Sequence, residues 1–505
     1  MAPKARRLRS EALASAARPA ATKVLLFTFG PPVRLRTAEG APRGPRASSA
    51  LLLPARTTSP ASGAPADRTE VMSQLLRRLV VLQPGEAPAL LASFATLLCM
   101  FSSYTILRPV RDALGITSGL DKIPYLFWGV FVVMLLLQPV YGWLTSRFPR
   151  TVFLPWVYAF FAANLVAFYL WFRVQEDHTW IARTYFVWVS VFNLFVVAAF
   201  WSLMADVFNR EQAGRLFGFI WAGASTGGLI GPAIDNRFAV PIGAINLLPI
   251  SAGLLLLSLV FMTQVIRWQR RAAAAAAANA ASAAGAAAGP RTEDALGGGV
   301  WAAFTQVVRS PYLLGIAAFV MLMTWVSTFL YLEQQAFVAK AFHSADERTR
   351  FFAGIDFWVQ AASLTIQLLL FGRLFKWFGL RTVLASVPVI MTAGYALFAM
   401  APFFMVLVVV YAVRRVGDYA LTRPCRDALF TVVSREEKYK AKSLIDTFVY
   451  RGGDALSGSL YKGLTGSVGA GPAAIGWLGA AISAVWTVLA LALGRAQERA
   501  RPGSL

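Results

Sequence analysis

From Pro88 onward the chain is a succession of apolar runs, each long enough to cross a bilayer, which takes about 20 residues as a helix. About twelve such runs are predicted, over 88–113, 123–145, 151–172, 184–208, 214–235, 242–266, 311–334, 351–375, 381–401, 403–429, 441–463 and 474–494. Backbone N–H and C=O groups have no water to bond in hydrocarbon, so runs of this kind predict helices. The expected fold class is therefore an all-α polytopic membrane protein. The bases fall in alternate connections: Arg147 and Arg150, then Arg267, Arg270 and Arg271, then Arg373, Lys376 and Arg381, then Lys438, Lys440 and Lys442, and finally Arg495, Arg499 and Arg501. The positive-inside rule makes those connections, and both chain termini, cytoplasmic.

The first run ends in Tyr104-Thr105-Ile106-Leu107-Arg108-Pro109-Val110-Arg111-Asp112. If the helix continues through the proline, Tyr104, Arg108 and Arg111 share one face and Asp112 can pair with Arg108 one turn back. A guanidinium at the centre of a bilayer costs roughly 2.5–3.5 kcal/mol even on the lenient insertion scale, which makes a functional role the default expectation. The blander alternative is that Arg108 and Arg111 snorkel to headgroups from near a span end.

Composition agrees with the pattern. The 505 residues are 57% hydrophobic and 14% charged. The net charge of +23 suggests nucleic acid at first sight, but many of the bases lie in the first seventy residues and in short loops, so no nucleic-acid partner is expected. The cysteines, Cys99 and Cys425, lie in or beside apolar runs, and the histidines are His178 and His343. No disulfide framework, metal site, cofactor or histidine relay follows from them. No GxxxxGK[ST] phosphate loop occurs, and no nucleophile–base set points to an enzyme.

Residues 1–71 are rich in Ala, Arg, Pro and Ser, with Glu11, Glu39, Asp67 and Glu70 opposing a dozen Lys and Arg. The composition is that of a transit peptide, yet Leu25–Phe27 is too short for a signal core; the preferred expectation is that Met72 is the biological start. Residues 1–87 are expected to be a basic, disordered segment. The alanine run from Ala272 to Ala288, followed by Gly289-Pro290 and Gly297-Gly298-Gly299, is read either as a helix continuing the sixth run or as a loose tether, and on both readings as a cytoplasmic linker over 272–299. It divides an N-terminal lobe, 88–271, from a C-terminal lobe, 300–495, with a tail at 496–505.

The lobes look like copies. Gly142-Trp143-Leu144-Thr145-Ser146-Arg147-Phe148-Pro149-Arg150-Thr151 parallels the stretch from Gly372 to Thr382, and Arg108-Pro109-Val110-Arg111-Asp112-Ala113-Leu114 parallels Arg423-Pro424-Cys425-Arg426-Asp427-Ala428-Leu429. Arg210-Glu211 and Gly227-Gly228 match Arg435-Glu436 and Gly452-Gly453 at one offset (435 − 210 = 452 − 227 = 225). Parallel repeats of six spans describe the major-facilitator architecture, with its substrate site between lobes near the midplane. Gly223, Gly227 and Gly231 are read as close helix packing.

Further charges lie within the runs. Arg111 and Glu333 are nearly equivalent under the repeat (333 − 111 = 222); Glu333 could equally sit at the outer surface beside Lys340. Arg451 stands in the middle of the eleventh run, and Arg414, Arg415 and Asp418 in the tenth. Arg415, Tyr419, Thr422 and Arg426 are predicted to share a face, and Arg414 and Asp418 to form an intrahelical pair. Guanidinium forks match phosphate oxygens bidentately and stay charged at any working pH, so an anionic, phosphorylated small molecule is the expected ligand.

These segments resemble the nucleotide translocases of plastids and obligate intracellular bacteria, the ATP/ADP antiporters, and their free-living bacterial relatives. Tyr104 to Arg108 with Arg111-Asp112 is similar to the family's first-helix signature, where the position of Arg111 is a lysine. Glu333 stands at the place of the seventh-helix glutamate, with Asp356-Phe357 following at the family's spacing. Pro424-Cys425-Arg426-Asp427 resembles the family's Pro-Cys-Lys-Glu, Ile445-Asp446 follows in register, and Arg451 before Gly452-Gly453 resembles its eleventh-helix lysine. The resemblance covers most of 88–494 and implies twelve spans and exchange of nucleotides such as ATP for ADP. It also implies a fourth-helix glutamate near Val189 to Asn193, where this chain has no acid.

The reading is a secondary transporter of a phosphorylated organic anion, a nucleotide first of all, in a bacterial inner membrane. Its candidate substrate-binding residues are Tyr104, Arg108, Arg111, Glu333, Asp356, Arg415, Asp418, Arg426 and Arg451. Arg111 and Arg451 would grip phosphate from opposite lobes, with Glu333 pairing with one of them when the site is empty. The alternatives are a proton-coupled carrier of another organic anion, with Glu333 or Asp356 taking the proton, and a non-transporting scaffold or sensor using the face around Arg435 to Lys442.

Overall fold

A computed structural model describes residues 82, 83, 85–282 and 300–500. The expectations for residues 1–71, for the second half of the linker and for the chain end beyond residue 500 lie outside the described residues. All regular structure within them is helical. In chain order the α-helices are α1 (Ala87–Thr117), α2 (Ile123–Arg147), α3 (Arg150–Val174), α4 (Thr179–Val207), α5 (Arg210–Ile242), α6 (Leu247–Ser282), α7 (Val300–Arg309), α8 (Pro311–Ala341), α9 (Ala345–Leu369), α10 (Phe371–Met400), α11 (Phe404–Gly417), α12 (Arg423–Leu429), α13 (Arg435–Leu444), α14 (Tyr450–Gly466) and α15 (Pro472–Arg499).

Ten of these helices are long and apolar enough to cross a membrane. The tenth and eleventh expected runs are composite rods. A π turn at Asp418–Thr422 joins α11 to α12, and another at Ile445–Val449 joins α13 to α14. The alanine run does not begin as a tether: α6 carries it as helix to Ser282, as alanine's propensity favours. One further helix, α7, was not expected; it packs against α13. Gly379, with φ of 70°, breaks α10, so that residues 371–378 run ahead of the rod that follows.

Helix starts follow local chemistry. Proline opens α1, α2, α8 and α15, where its missing N–H costs nothing. Capping boxes open α5 (Asn209 with Gln212), α9 (Ser344 with Glu347) and α13 (Ser434 with Glu437). Outward faces stay apolar, as at Trp156, Phe160 and Leu170 on α3, which suits hydrocarbon rather than water.

Buried side chains form two large cores, one drawn from Ala89 through Ile266 and one from Val307 through Leu493. In the first, the glycine row of α5 admits α1 to backbone contact. A Cβ at Gly223 would lie 2.6 Å from the Phe94 carbonyl oxygen, and Gly227 and Gly231 meet Leu98 and Thr105 more closely still. Thr105 donates to the Gly227 carbonyl (3.1 Å) across this seam.

Two smaller clusters cross between the lobes, one setting Leu332 against Phe186 and α2, the other setting Val338 and Phe352 against Ala113 and Ile116. Polar contacts follow the same ends of the helices. Trp128 donates to Ser459 (2.8 Å), Lys462 to the Asp121 carbonyl (3.1 Å), and the Ala244 N–H to Asp346 (2.7 Å). The lobes are thus fastened along α2–α14 and α5–α9.

At the other end, just before α1, Glu86 is buried and accepts from Arg215 (3.0 and 3.1 Å), Gln212 (2.9 Å) and the Gln83 N–H (3.0 Å). Burial pushes its carboxyl up, but Arg215 and the other donors outweigh that and hold it below the usual glutamate range. Stability from a depressed carboxyl is present above the unfolded value, about 4.3, and fades as pH falls through the folded one. Glu86→Gln is therefore expected to melt earlier than wild type at neutral pH and to converge with it in acid. A gap of equal size at both pH values in detergent melting curves would refute the assignment.

Candidate functional site

The helix α1 does run through Pro109, and the expected face of Tyr104, Arg108 and Arg111 forms. The pairing differs from expectation. Asp112 engages Arg111, accepting from Nε (3.0 Å) and Nη2 (2.7 Å), and not Arg108. Arg108 instead crosses to the other lobe, where its Nε stands 3.8 Å from Asp356 on α9 and its Nη1 donates to Tyr419 Oη (3.1 Å). Asp356 also takes a short hydrogen bond from Arg415 on α11. One carboxylate therefore bridges two guanidiniums from opposite halves of the molecule.

A second bridge lies beside it. Tyr331 on α8 donates to the same Asp112 oxygen (3.0 Å) that holds Arg111, and the Arg111 guanidinium lies 4.9 Å from the Phe186 ring centre. Tyr104 is half-buried and packs its ring toward Phe101 and Phe192 (6.5 Å each).

The composite rods supply the remaining charges. Asp418, the first residue of its π turn, sits 3.8 Å from Arg414 and 3.3 Å from Arg423; the predicted intrahelical pair is present and gains a second arginine. Arg423 also lies over the Tyr419 ring, 4.5 Å from its centre. Arg426 pairs with Asp446 (3.2 Å), tying α12 to the second π turn. Arg415 and Arg426 do not share a face as predicted: the π turn between them adds a residue and advances the phase, so one points to Asp356 and the other to Asp446. Arg451 opens α14 just past the second π turn and stands 3.7 Å from Asp454, which also accepts from Thr328 (3.2 Å).

Glu333 is buried, not at the surface beside Lys340, and accepts from Tyr461 (3.0 Å); no cation lies within ion-pair distance among the described residues. The expected pairing of Glu333 with Arg111 or Arg451 is not seen, because both arginines already hold an aspartate one and three residues along their own helices.

In this network seven guanidiniums (Arg108, Arg111, Arg414, Arg415, Arg423, Arg426 and Arg451) share five carboxylates (Asp112, Asp356, Asp418, Asp446 and Asp454). The excess is positive. Arg423, Arg451 and Arg108 remain the most open, with side chains 44%, 30% and 22% exposed, against 6% for Arg415. Those three can meet an incoming anion while Arg415 anchors Asp356. Among the described residues no His/Cys/Asp/Glu group is placed to hold a metal ion.

Sequence reasoning passed over Arg423 and Asp235. Arg423 was visible in the internal copy of the first-helix segment. Asp235, an acid inside the Ile234-Asp235-Asn236 stretch, was signalled only by its being a carboxylate within a long apolar helix.

Residues 20–232 match the family model described as Major Facilitator Superfamily. The chain is similar to ADP,ATP carrier protein 1 of Chlamydia trachomatis serovar D, at 22% identity over 76% of this chain and 84% of the relative. It is also similar to ADP,ATP carrier protein 1 of Chlamydia muridarum, at 22% over 81% and 88%. Among solved structures it shares its fold with the POT family transporter PepTSo (TM-score 0.57, 11% identity, 81% of this chain and 98% of that one). A bacterial homologue of the iron transporter ferroportin gives a TM-score of 0.54 at 14% identity, over 81% and 98%.

Proposed function

We propose that this chain, a membrane protein on the major-facilitator plan and related to the nucleotide translocases, exchanges a phosphorylated organic anion, a nucleotide first of all, across a bacterial inner membrane. The observation that carries the reading is the arginine excess between the lobes, centred on the Arg108–Asp356–Arg415 bridge. The relatives named as ADP,ATP carriers support it, as does the guanidinium chemistry, which suits phosphate. Basic connections such as Arg267, Arg270 and Arg271 support an orientation with both termini in the cytoplasm.

Arrival of a phosphate at Arg108 would compete with Asp356 for the same donors. Trading one set of charge-assisted bonds for another lets the lobes part without leaving a lone buried charge, and an unoccupied carrier lacks that exchange partner. Strict exchange follows from such a rule. Arg451 and Arg423 on the other lobe would take the remaining phosphate oxygens, with Arg111, Asp418 and Arg426 holding the frame around them.

Counterflow in proteoliposomes tests the grip. Removing a charge-assisted hydrogen bond costs roughly 1.5–3 kcal/mol, so Arg451→Ala is expected to reduce uptake of labelled ADP against internal ATP about tenfold or more. Undiminished uptake would remove Arg451 from the site.

A proton-coupled carrier of an organic anion is the second reading, and one observation favours it: a buried acid without a partner. That acid is neither of the two expected from the sequence, since Asp356 already accepts from Arg415 and pairs with Arg108, and Glu333 accepts from Tyr461. The scaffold reading rests on the face around Arg435 to Lys442, where the side chains of Arg435, Lys438 and Lys440 lie outside the described residues.

A further inference from the structure

Among the described residues Asp235 is the unusual carboxylate. It is 0% exposed, and neither of its oxygens has a hydrogen-bond partner. Asp112, Asp356, Asp418, Asp446 and Asp454 each hold a guanidinium, and Glu333 a phenol. An ionised carboxylate buried without protein donors costs several kcal/mol, a cost that keeping the proton avoids. In the closed arrangement seen here Asp235 is admitted only as the neutral acid.

Its helix lies at the lobe seam. α5 packs on α1 through the glycine row and, on its other side, meets α9 across the lobe boundary, where the Gln360 side chain covers Gly228. Asp235 lies within electrostatic reach of Asp356, the acceptor that ties the lobes together, and of Tyr185 on α4. The other charges on α1 and α9 are engaged or exposed: Arg108 pairs with Asp356, Arg111 with Asp112, Asp346 accepts from the Ala244 N–H, Glu347 caps α9, Arg348 donates to the Phe342 carbonyl, and Arg350 is exposed. Arg237, on α5 itself, is exposed. No resident cation answers Asp235 among the described residues, so what neutralises it is a proton.

We propose that Asp235 is a proton-binding site that loads whenever the lobes close along α5–α9. When the seam opens and water reaches the side chain, the carboxyl O–H bond breaks, the proton passes to water and a carboxylate remains. Closing again requires that one proton be taken back. The inference rests on the transporter reading for its coupling to flux, and on burial alone for the site.

Two measurements on the full chain in proteoliposomes separate these. The first uses no solute: infrared spectroscopy at neutral pH is expected to show a protonated-carboxyl carbonyl band that Asp235→Asn removes and Glu333→Gln leaves. A band unchanged in Asp235→Asn, or no such band in wild type, overturns the site even if nucleotides are carried. The second uses ADP and a trapped pH-sensitive dye. Wild type is expected to move protons with ADP uptake against internal ATP, whereas Asp235→Asn retains ADP–ADP homoexchange, loses the proton signal entirely and ignores an imposed pH gradient. Proton movement that survives in Asp235→Asn overturns the coupling. Absence of ADP flux from both proteins counts against the nucleotide reading and leaves the infrared result to decide the site.

Discussion

Asp356→Ala is expected to be the most damaging single substitution in the interior. The change leaves Arg108 and Arg415 facing each other with no carboxylate between them, and Arg415 is nearly inaccessible to water. Breaking a buried pair by removing one partner costs about 3–5 kcal/mol, because the charge left behind is uncompensated. Here two charges are left. The purified variant should melt well below wild type in detergent and should accumulate poorly. A compensated variant distinguishes charge from packing. Asp356→Leu combined with Arg415→Met removes one charge of each sign, and apolar replacement of a buried pair is often neutral for stability. It should recover most of the lost melting temperature while remaining unable to transport, since Arg108 would have lost the acceptor it exchanges for substrate. Melting of Asp356→Ala at the wild-type temperature would show that the bridge is not closed in the protein as it stands in the membrane.

How much of this was open to a reader of the sequence depends on the range of the interaction. The apolar runs are a local property, and the helices α1 to α6 and α8 to α10 follow them, with ends shifted by capping residues such as Asn209 and Ser344. The doubling of short segments was equally local, as was the Arg414–Asp418 pair, four residues apart on one helix. Which arginine takes which acid was not. Asp112 has Arg111 adjacent and Arg108 one turn back, and the choice falls on Arg111 because Asp356 and Tyr419 draw Arg108 across the seam. Facial arguments at 3.6 residues per turn also fail wherever a π turn intervenes. Such turns at Asp418–Thr422 and Ile445–Val449 separate Arg415 from Arg426 and place Arg451 after a change of phase. Both occur where charged residues crowd the rod, a common setting for π turns at functional sites. Asp235 was illegible for a different reason: what marks it is a missing partner, and a missing partner exists only once every neighbour is known.

Linking Gly228 to Gln360 should stop transport outright. A Cβ built on Gly228 would lie 3.1 to 3.3 Å from the Gln360 side-chain atoms, so the two positions face each other across α5 and α9. Changing Gly228→Cys together with Gln360→Cys removes the atoms that a Cβ at 228 would press against. It also sets two thiols facing each other across the seam, and a disulfide between them needs Cβ atoms about 3.5–4.5 Å apart. The native thiols, Cys99 and Cys425, are buried and do not compete. Oxidation would then pin the seam in the closed form. If rocking of one lobe against the other is what moves the solute, labelled ADP uptake should fall to background on oxidation and return on reduction, while either single cysteine variant responds to neither treatment. The same bond offers an independent view of Asp235: a carrier locked with that seam shut should exchange the carboxyl proton for deuterium far more slowly than the reduced protein. Full transport by the oxidised, verified cross-link would mean that α5 and α9 stay together throughout the cycle, and that the passage opens along another pair of helices.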